Sequence, residues 1–306
     1  MENIRIYDVT ARDGLQNEKE IVSTADKRTL IQKLVDAGHK DIEITSFVKP
    51  SWIPQLADNA TLVRMLPPAP KDVRYWALIP NQRGLDNAID CGIRNIATFM
   101  SASGTHNRKN LNRTQKESLS SLKGVMENAK SEGMQVRAYL STVFGCPYEG
   151  WVDPNTALSI SLDLLDLGAD EIALGDTTGM ANPNQVREVI ALFIKEGIPA
   201  SKLALHLHDT RGTALANAYA GYMSGIRTFD GSAAGLGGCP YAPGASGNAA
   251  TEDIMQLFES MGMQTGVNLE KAAEIGLFLE EILGRTLPGR YYKCHKGTIQ
   301  RSKNTA

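Results

Sequence analysis

The sequence predicts an α/β protein that folds as one (β/α)8 (TIM) barrel with a short C-terminal helical extension. Short apolar, β-rich runs alternate with longer amphipathic segments almost from the first residue, and each kind of segment occurs eight times. A length of 306 residues is typical of such a barrel with an extension. No G-x-G-x-x-G motif follows the first strand, which argues against the main alternative, a doubly wound open sheet.

The predicted elements follow one another in the order that the barrel requires. Strands are predicted over residues 4–9, 41–45, 73–78, 95–100, 136–143, 171–174, 203–207 and 228–232. Helices are predicted over residues 24–37, 55–65, 82–91, 113–132, 154–167, 183–196, 213–224 and 249–261. Ser23, Pro154 and Pro183 are typical of helix starts. Glycines typical of helix ends follow at Gly38, Gly92, Gly133, Gly168, Gly197 and Gly225.

The C-terminal region differs in composition from the barrel. We assign residues 1–264 to the barrel and residues 265–306 to an extension, which begins with a further helix over residues 267–283. The run from 290 to 306 is basic and polar, and we expect it to be disordered. Two interpretations of its charge stay open, a solvated tail or an electrostatic aid to a phosphorylated ligand.

The composition is that of a globular protein with a substantial core, at 42% hydrophobic and 22% charged residues. A formal net charge of −2 gives no reason to expect a nucleic-acid partner. No apolar run reaches the ~18 residues of a membrane span, and the first residues do not resemble a signal peptide, so we expect a cytoplasmic protein. The four cysteines form no C-x-x-C pair and are expected to be free thiols.

A pair of histidines ends the seventh predicted strand. Residues two apart on a strand share a face, so His206 and His208 point the same way. Imidazole is a common ligand of divalent metals, which makes this pair a candidate metal site. The alternative is one core histidine beside a surface histidine.

Other unusual polar residues lie at the same predicted end of the barrel, where barrel enzymes have their sites. Asp13 follows the first strand, Glu43 lies within the second, Asp176 ends the sixth and Asn248 follows the eighth. Two histidines with oxygen ligands suit Mg²⁺ or Mn²⁺ better than structural Zn²⁺. Singly, Asp13 or Asn248 could cap a helix, and Glu43 could pair with a cation inside the barrel.

Several motifs together carry a family resemblance. They are residues 8–18, Glu43-Ile-Thr-Ser-Phe47, Phe144-Gly-Cys-Pro-Tyr-Glu149, Leu174-Gly-Asp-Thr-Thr-Gly179, the His206/His208 strand and residues 235–253. On these motifs the chain resembles the 3-hydroxy-3-methylglutaryl-CoA (HMG-CoA) lyases of the metal-dependent TIM-barrel lyase superfamily. The resemblance runs from about residue 6 to residue 261, and the glycine-rich loop around Cys239 is its most specific part.

The resemblance implies roles for individual residues. Asp13, His206, His208 and Asn248 would surround a Mg²⁺ or Mn²⁺ ion, with Asp13 also in the catalytic set. Arg12 would neutralise charge on the thioester oxygen, and Cys239 would take part in proton transfer. Glu43 and Asp176 would position the substrate and its hydroxyl. Further substrate contacts would come from Gln16, Arg12, Thr178 and Gly237.

The implied reaction is cleavage of an acyl-CoA, HMG-CoA, to acetoacetate and acetyl-CoA. Gly104 stands where related sequences often carry an acidic residue, which keeps two other substrates open, (R)-citramalyl-CoA and longer 3-hydroxy-3-alkylglutaryl-CoA. A condensing synthase of the isopropylmalate type and a non-catalytic barrel that binds metal or acyl-CoA are the alternatives of other classes. Relatives also suggest a homo-oligomer, a dimer or larger.

Overall fold

The computed structural model describes residues 2–238 and 247–305, and its centre is a closed barrel of eight parallel strands in sequence order. The strands are β1 (Arg5–Asp8), β2 (Asp41–Ser46), β3 (Arg74–Leu78), β4 (Asn95–Ser101), β5 (Gln135–Ser141), β6 (Glu171–Asp176), β7 (Leu203–Leu207) and β8 (Thr228–Gly231). Pairing of β8 with β1 closes the sheet. The predicted (β/α)8 barrel is therefore confirmed.

Helices surround the barrel and extend it at the C-terminus. They are α1 (Thr24–Ala37), α2 (Asn59–Met65), α3 (Gln82–Asp90), α4 (Gly104–Leu111), α5 (Gln115–Ser131), α6 (Pro154–Asp166), α7 (Pro183–Lys195), α8 (Ala214–Met223), α9 (Thr251–Ser260), α10 (Leu269–Leu283) and α11 (Tyr291–Thr305). Ser23 caps α1 by accepting the Asp26 amide, as predicted. Within the described ranges, no helix is both long and apolar enough to cross a membrane.

Two loops after strands differ from the prediction. The helix expected over residues 55–65 is a short 3₁₀ turn at Pro54–Leu56 followed by α2, and Asp58 lies between them. The Asp58 carboxylate accepts hydrogen bonds from Thr24 and Lys27 of α1, each at 2.7 Å, which holds the break in place. Helix α4 was not predicted, although Ser103 caps it by accepting the His106 amide at 3.0 Å.

The C-terminal region forms helix α11 over Tyr291–Thr305, so the expectation of disorder from residue 290 is wrong for these residues. Tyr292 of α11 is completely buried, and its hydroxyl donates to the Leu287 carbonyl at 2.8 Å and accepts from the Leu287 amide at 2.7 Å. Lys296 also pairs with Glu280 of α10 at 2.7 Å. These contacts hold α11 in place although its composition is polar and basic. The division between residues 264 and 265 stays a prediction.

The core has two layers, one between the barrel and its helices and one inside the barrel. The outer layer is apolar and continuous. The inner layer contains a few aromatic and small apolar side chains, among them Tyr7, Trp76 and Tyr139. It also encloses charged groups, because Glu43, Arg137 and Asp230 are all nearly inaccessible to solvent. Buried charges require partners, and these partners connect the barrel interior to the candidate site.

Candidate active site

A cluster of possible metal ligands lies at the carboxyl end of the barrel. Asp13, His206 and His208 each offer a ligand atom, and these atoms lie within 4.8 Å of one another. The Nε2 atoms of the two histidines are 3.3 Å apart, and His206 Nε2 is 3.9 Å from the Asp13 carboxylate. Asn248 completes the group, since its amide donates to Asp13 at 2.8 Å. The structure thus brings together all four residues expected around the ion.

Main-chain hydrogen bonds hold Asn248 beside the histidines. His208 and Asn248 form an antiparallel bridge, flanked by hydrogen bonds from the Asp209 amide to the Gly247 carbonyl and from the Ala249 amide to the Leu207 carbonyl. The predicted alternative that Asn248 caps the next helix does not apply, because the residue before α9 is Ala250. Asn248 is therefore available to the metal cluster.

Two glycines permit the close packing around this cluster. Asp13 lies in a π-helical turn, Thr10–Gly14, and a Cβ at Gly14 would be 2.6 Å from the Ser232 hydroxyl oxygen. Gly237 has a φ of +128°, and a Cβ there would be 2.6 Å from the Asn248 amide nitrogen. Gly237 was expected to contact substrate, and what the structure shows is its contact with Asn248.

The electrostatics of the cluster suit a cation. Burial would raise the pKa of Asp13, but the charges of Arg12 and the histidines hold it well below its usual range. Burial, followed by the charge of His206, lowers the pKa of His208 to about 4. At neutral pH the cluster therefore offers an ionised carboxylate and a neutral imidazole, the forms that bind a metal. The donor set of two imidazoles, a carboxylate and an amide fits a divalent ion of intermediate hardness.

Arg12 lies between the cluster and the barrel interior. Its guanidinium donates to Asp13 and to Glu43 and lies over the Tyr139 ring, 5.3 Å from the ring centroid. Glu43 also accepts hydrogen bonds from the hydroxyls of Tyr7, at 2.9 Å, and Tyr139, at 2.8 Å. One interpretation of the sequence was that Glu43 pairs with a positively charged side chain inside the barrel. The structure shows this pair, and the positively charged side chain is Arg12.

Asp176 and Thr178 follow β6. The Asp176 carboxylate accepts the amides of Met180, at 2.8 Å, and Ala181, at 3.1 Å. Burial outweighs these bonds and raises the pKa of Asp176 to about 6. The Thr178 hydroxyl is buried, and no hydrogen-bond partner for it is found among the described residues. The charge of His206 in the metal cluster also acts on Asp176 and lowers its pKa, although less than burial raises it. The roles of Asp176 and Thr178 at a substrate stay predictions.

Cys239 lies outside the described residues, but the chain on both sides of it is placed. The Gly247 amide donates to the Gly237 carbonyl at 3.1 Å, so both ends of the segment that contains Cys239 meet beside Asn248. Asn17 donates to the Gly238 carbonyl at 3.3 Å. Gln16 is half-buried at the end of the turn that carries Arg12 and Asp13.

Two residues near the cluster were missed in the sequence. Asp230 of β8 accepts a hydrogen bond from His206, with 3.0 Å between Oδ2 and Nδ1, and Arg137 of β5 pairs with Asp230. Arg137 and Tyr139 alternate with Val136 and Ala138, so the period of two pointed to an inward-facing arginine. Which residue it meets follows only from the strand order.

Comparison with known proteins agrees with this geometry. The chain matches the HMGL-like family over residues 3–278. Hydroxymethylglutaryl-CoA lyase YngG of Bacillus subtilis is 50% identical over 295 residues, which cover 96% of this chain and 98% of the relative.

Solved structures agree in the same way. A crystal structure of the Bacillus subtilis HMG-CoA lyase has a TM-score of 0.94 at 50% identity and covers 97% of this chain and 99% of its own. An HMG-CoA lyase from Acinetobacter baumannii, solved with coenzyme A and 3-methylmalate, has a TM-score of 0.90 at 37% identity and covers 95% of this chain and 94% of its own. The chain therefore belongs to the hydroxymethylglutaryl-CoA lyase family and is a carbon–carbon lyase.

Proposed function

We propose that the enzyme cleaves HMG-CoA to acetoacetate and acetyl-CoA with the help of a divalent cation. The observation that carries this proposal is the placement of Arg12 directly beside the group of Asp13, His206 and His208. A cation site and a fixed positive side chain are thereby adjacent at the carboxyl end of the barrel. Cleavage of a 3-hydroxyacyl thioester needs both groups. The cation acts on the substrate hydroxyl, and the positive side chain acts on the thioester oxygen.

Asp13, His206, His208 and Asn248 would hold the cation, and Mg²⁺ or Mn²⁺ fits their oxygen and nitrogen atoms. When bound, the ion supplies a Lewis acid that makes the substrate hydroxyl more acidic and fixes its orientation. Asn248 offers its amide oxygen as a ligand next to Asp13, which the amide nitrogen already contacts.

Arg12 would stabilise the charge that forms during cleavage. Loss of the C3 hydroxyl proton turns C3 into a ketone, the C2–C3 bond breaks, and its electron pair becomes the enolate of acetyl-CoA. The enolate oxygen is the thioester oxygen, where a guanidinium donor lowers the barrier. Glu43 acts through Arg12, because its carboxylate is occupied by Arg12, Tyr7 and Tyr139.

Proton transfer completes the reaction. The enolate carbon C2 must accept a proton, and we assign this transfer to the Cys239 thiol, whose segment begins and ends beside Asn248. Asp176, with a pKa near 6, would exchange a proton with the substrate hydroxyl or orient it. Gln16, Thr178 and Gly237 remain proposed substrate contacts.

Substrate choice is tested with the purified enzyme. HMG-CoA, (R)-citramalyl-CoA and a longer 3-hydroxy-3-alkylglutaryl-CoA are each incubated with Mg²⁺ or Mn²⁺, and the products are identified by mass spectrometry. We expect acetoacetate and acetyl-CoA from HMG-CoA at the highest kcat/KM. Among the described residues, a Cβ at Gly104 would meet only the Gln115 side chain, at 3.9 Å, so Gly104→Glu is a direct variant for the specificity question. If none of the three thioesters is cleaved, the proposal is wrong.

The division of roles between ligand and thiol has its own test. His206→Ala is expected to lower the bound metal, because it removes a ligand atom from the cluster. Cys239→Ala is expected to keep the metal and lose turnover. Metal content by atomic emission and kcat of both variants are the measurements, and equal metal loss in both would contradict the assignment.

Three proposals concern the surroundings of the enzyme. Arg290 lies beside a small cavity that also borders Asn248, and it pairs with Asp209 at 3.0 Å. The carboxylates of Asp209 and Asp253 line the same cavity and pair with Arg290, so the proposal that the basic C-terminal region aids a phosphorylated ligand, here coenzyme A, rests on the charge of the sequence. A homo-oligomer and a cytoplasmic location stay as predicted from the sequence, and gel filtration with light scattering tests the first.

A further inference from the structure

Asp230 lies level with His206 inside the barrel. Phe229 of β8 is in register with Leu205 of β7, and the next residue on each strand, Asp230 and His206, faces the opposite way, into the barrel. The Asp230 Oδ2 and His206 Nδ1 atoms are 3.0 Å apart, and the two residues are 2% and 8% exposed. The contact is therefore a direct, desolvated hydrogen bond on the side of the imidazole that faces away from the metal cluster.

Arg137 determines what Asp230 can do in this contact. Its Nη2 and Nη1 atoms donate to both Asp230 oxygens, at 2.6 and 3.0 Å. Arg137 is itself fully buried and is held by Glu171, at 2.8 Å, and by the Tyr139 hydroxyl, at 3.0 Å. A carboxylate that accepts two N–H groups from a fixed guanidinium is ionised and acts only as an acceptor.

An acceptor beside Nδ1 selects one form of the imidazole. His206 Nδ1 must carry the hydrogen, which leaves the lone pair on Nε2. Nε2 is the atom that lies 3.3 Å from His208 and 3.9 Å from Asp13. His208 has no comparable partner, since none is found for its Nδ1 among residues 2–238 and 247–305.

We propose that Asp230, oriented by Arg137, is a positioning residue that holds His206 in the Nδ1–H form and thereby directs the Nε2 lone pair to the cation. The inference rests on the proposed function in one respect, that His206 is a ligand of the cation. It assigns no contact between Asp230 and the substrate. The alternative is a purely structural role, in which Asp230 only neutralises Arg137.

The test uses Asp230→Asn in the full-length enzyme, with Asp41→Asn as the matched control. Asp41 is an equally buried carboxylate inside the barrel. It pairs with Arg5, Arg74 and Trp76, and none of these partners is a histidine. An asparagine at 230 cannot accept from all three N–H groups that Asp230 accepts, because one side of its amide is a donor. An asparagine at 41 likewise cannot accept from all the N–H groups that Asp41 accepts, but none of those groups belongs to a histidine.

Two readouts separate the roles. The ¹⁵N spectrum of histidine-labelled, metal-free enzyme reports the protonated nitrogen of His206, and titration calorimetry with Mn²⁺ gives the metal dissociation constant. We expect a single Nδ1–H form in the wild type and in Asp41→Asn, and a mixture in Asp230→Asn. We expect metal binding to weaken by about 10–100-fold in Asp230→Asn, the usual cost of losing such a partner, and by less than threefold in Asp41→Asn.

The outcomes that overturn the inference are specific. A wild type in which His206 carries its hydrogen on Nε2 overturns it, and so does an Asp230→Asn enzyme with the Nδ1–H form and unchanged metal affinity. If Asp230→Asn does not fold, Arg137→Lys tests the same point, because an ammonium lacks the two parallel N–H groups with which the guanidinium fixes the orientation of the Asp230 carboxylate. Failure of the wild type to bind Mn²⁺ would count against the proposed function, while the nitrogen spectrum would still decide the role of Asp230.

Discussion

Replacing Arg12 with lysine keeps the positive charge but removes the guanidinium geometry. Arg12 uses two different nitrogens, Nε for Glu43 and Nη1 for Asp13. A single ammonium can reach only one of the two carboxylates in the same way, so Arg12→Lys loses one charge-assisted hydrogen bond. Such a bond contributes about 1.5–3 kcal/mol. We expect that loss in the free energy of unfolding.

The effect on catalysis should be larger than the effect on folding. If the guanidinium also meets the thioester oxygen, its loss lowers kcat by about 10²–10³-fold, or ~2.7–4 kcal/mol of transition-state stabilisation. KM and metal affinity should change little, because the four proposed ligands stay in place. The assay follows acetyl-CoA release at saturating HMG-CoA and Mg²⁺, together with urea denaturation of the same preparations.

Arg5→Lys is the matched control. Arg5 also bridges two carboxylates of the barrel interior, Asp41 at 2.7 Å and Glu171 at 2.6 Å, and it does not contact the metal cluster. We expect it to lose stability and keep kcat within a few-fold. A folded, metal-bound Arg12→Lys enzyme with wild-type kcat would refute the role of Arg12, and an equal loss of kcat in Arg5→Lys would show that the effect is not local.

Three further predictions test packing, protonation and the C-terminus. Gly237→Ala should weaken metal binding at least tenfold by calorimetry, because its Cβ would collide with Asn248, whereas Gly238→Ala, with its nearest contact at 3.6 Å, should not. Burial raises the pKa of Glu252 from 4.5 to about 8, so its contribution to stability is complete below pH 4.5 and is lost progressively as pH rises from there through 8, on the order of 5 kcal/mol. Glu252→Gln should remove that part of the pH dependence in denaturation curves at pH 5, 7 and 8.5, and an unchanged profile would contradict the raised pKa. Tyr292→Phe should lower the unfolding free energy by about 1–2 kcal/mol with unchanged kcat, and no loss would show that its hydroxyl does not hold α11.

The sequence predicted the barrel because its signals are local and repeated. Both faces of each barrel strand are covered, so the strands are short apolar runs, and helix-start residues such as Ser23 and Pro183 mark the helices between them. The site was predicted because strand ends converge in a barrel, which makes Asp13 and Asn248 neighbours although 235 positions separate them.

What could not be predicted depends on contacts between distant parts of the chain. Helix α11 has a polar composition, and the buried hydroxyl of Tyr292 holds it. The partner of Arg137 is Asp230, 93 positions away, and only the closed strand order brings them together. Helix α4 is different, because its Ser103 cap is a local signal. The helix was still missed, because its eight residues show little apolar periodicity.

The paired charges of the barrel form one continuous series from its amino end to the cluster at its carboxyl end. Among the described residues, this series contains five carboxylates and four guanidinium groups: Asp41, Glu171, Asp230, Asp13 and Glu43 with Arg74, Arg5, Arg137 and Arg12. The series thus carries one excess negative charge when all nine are ionised. A divalent cation would reverse that sign, and the single free carboxylate of an HMG-type acyl group would then restore neutrality. The order of binding that this favours is metal first and the acidic substrate second.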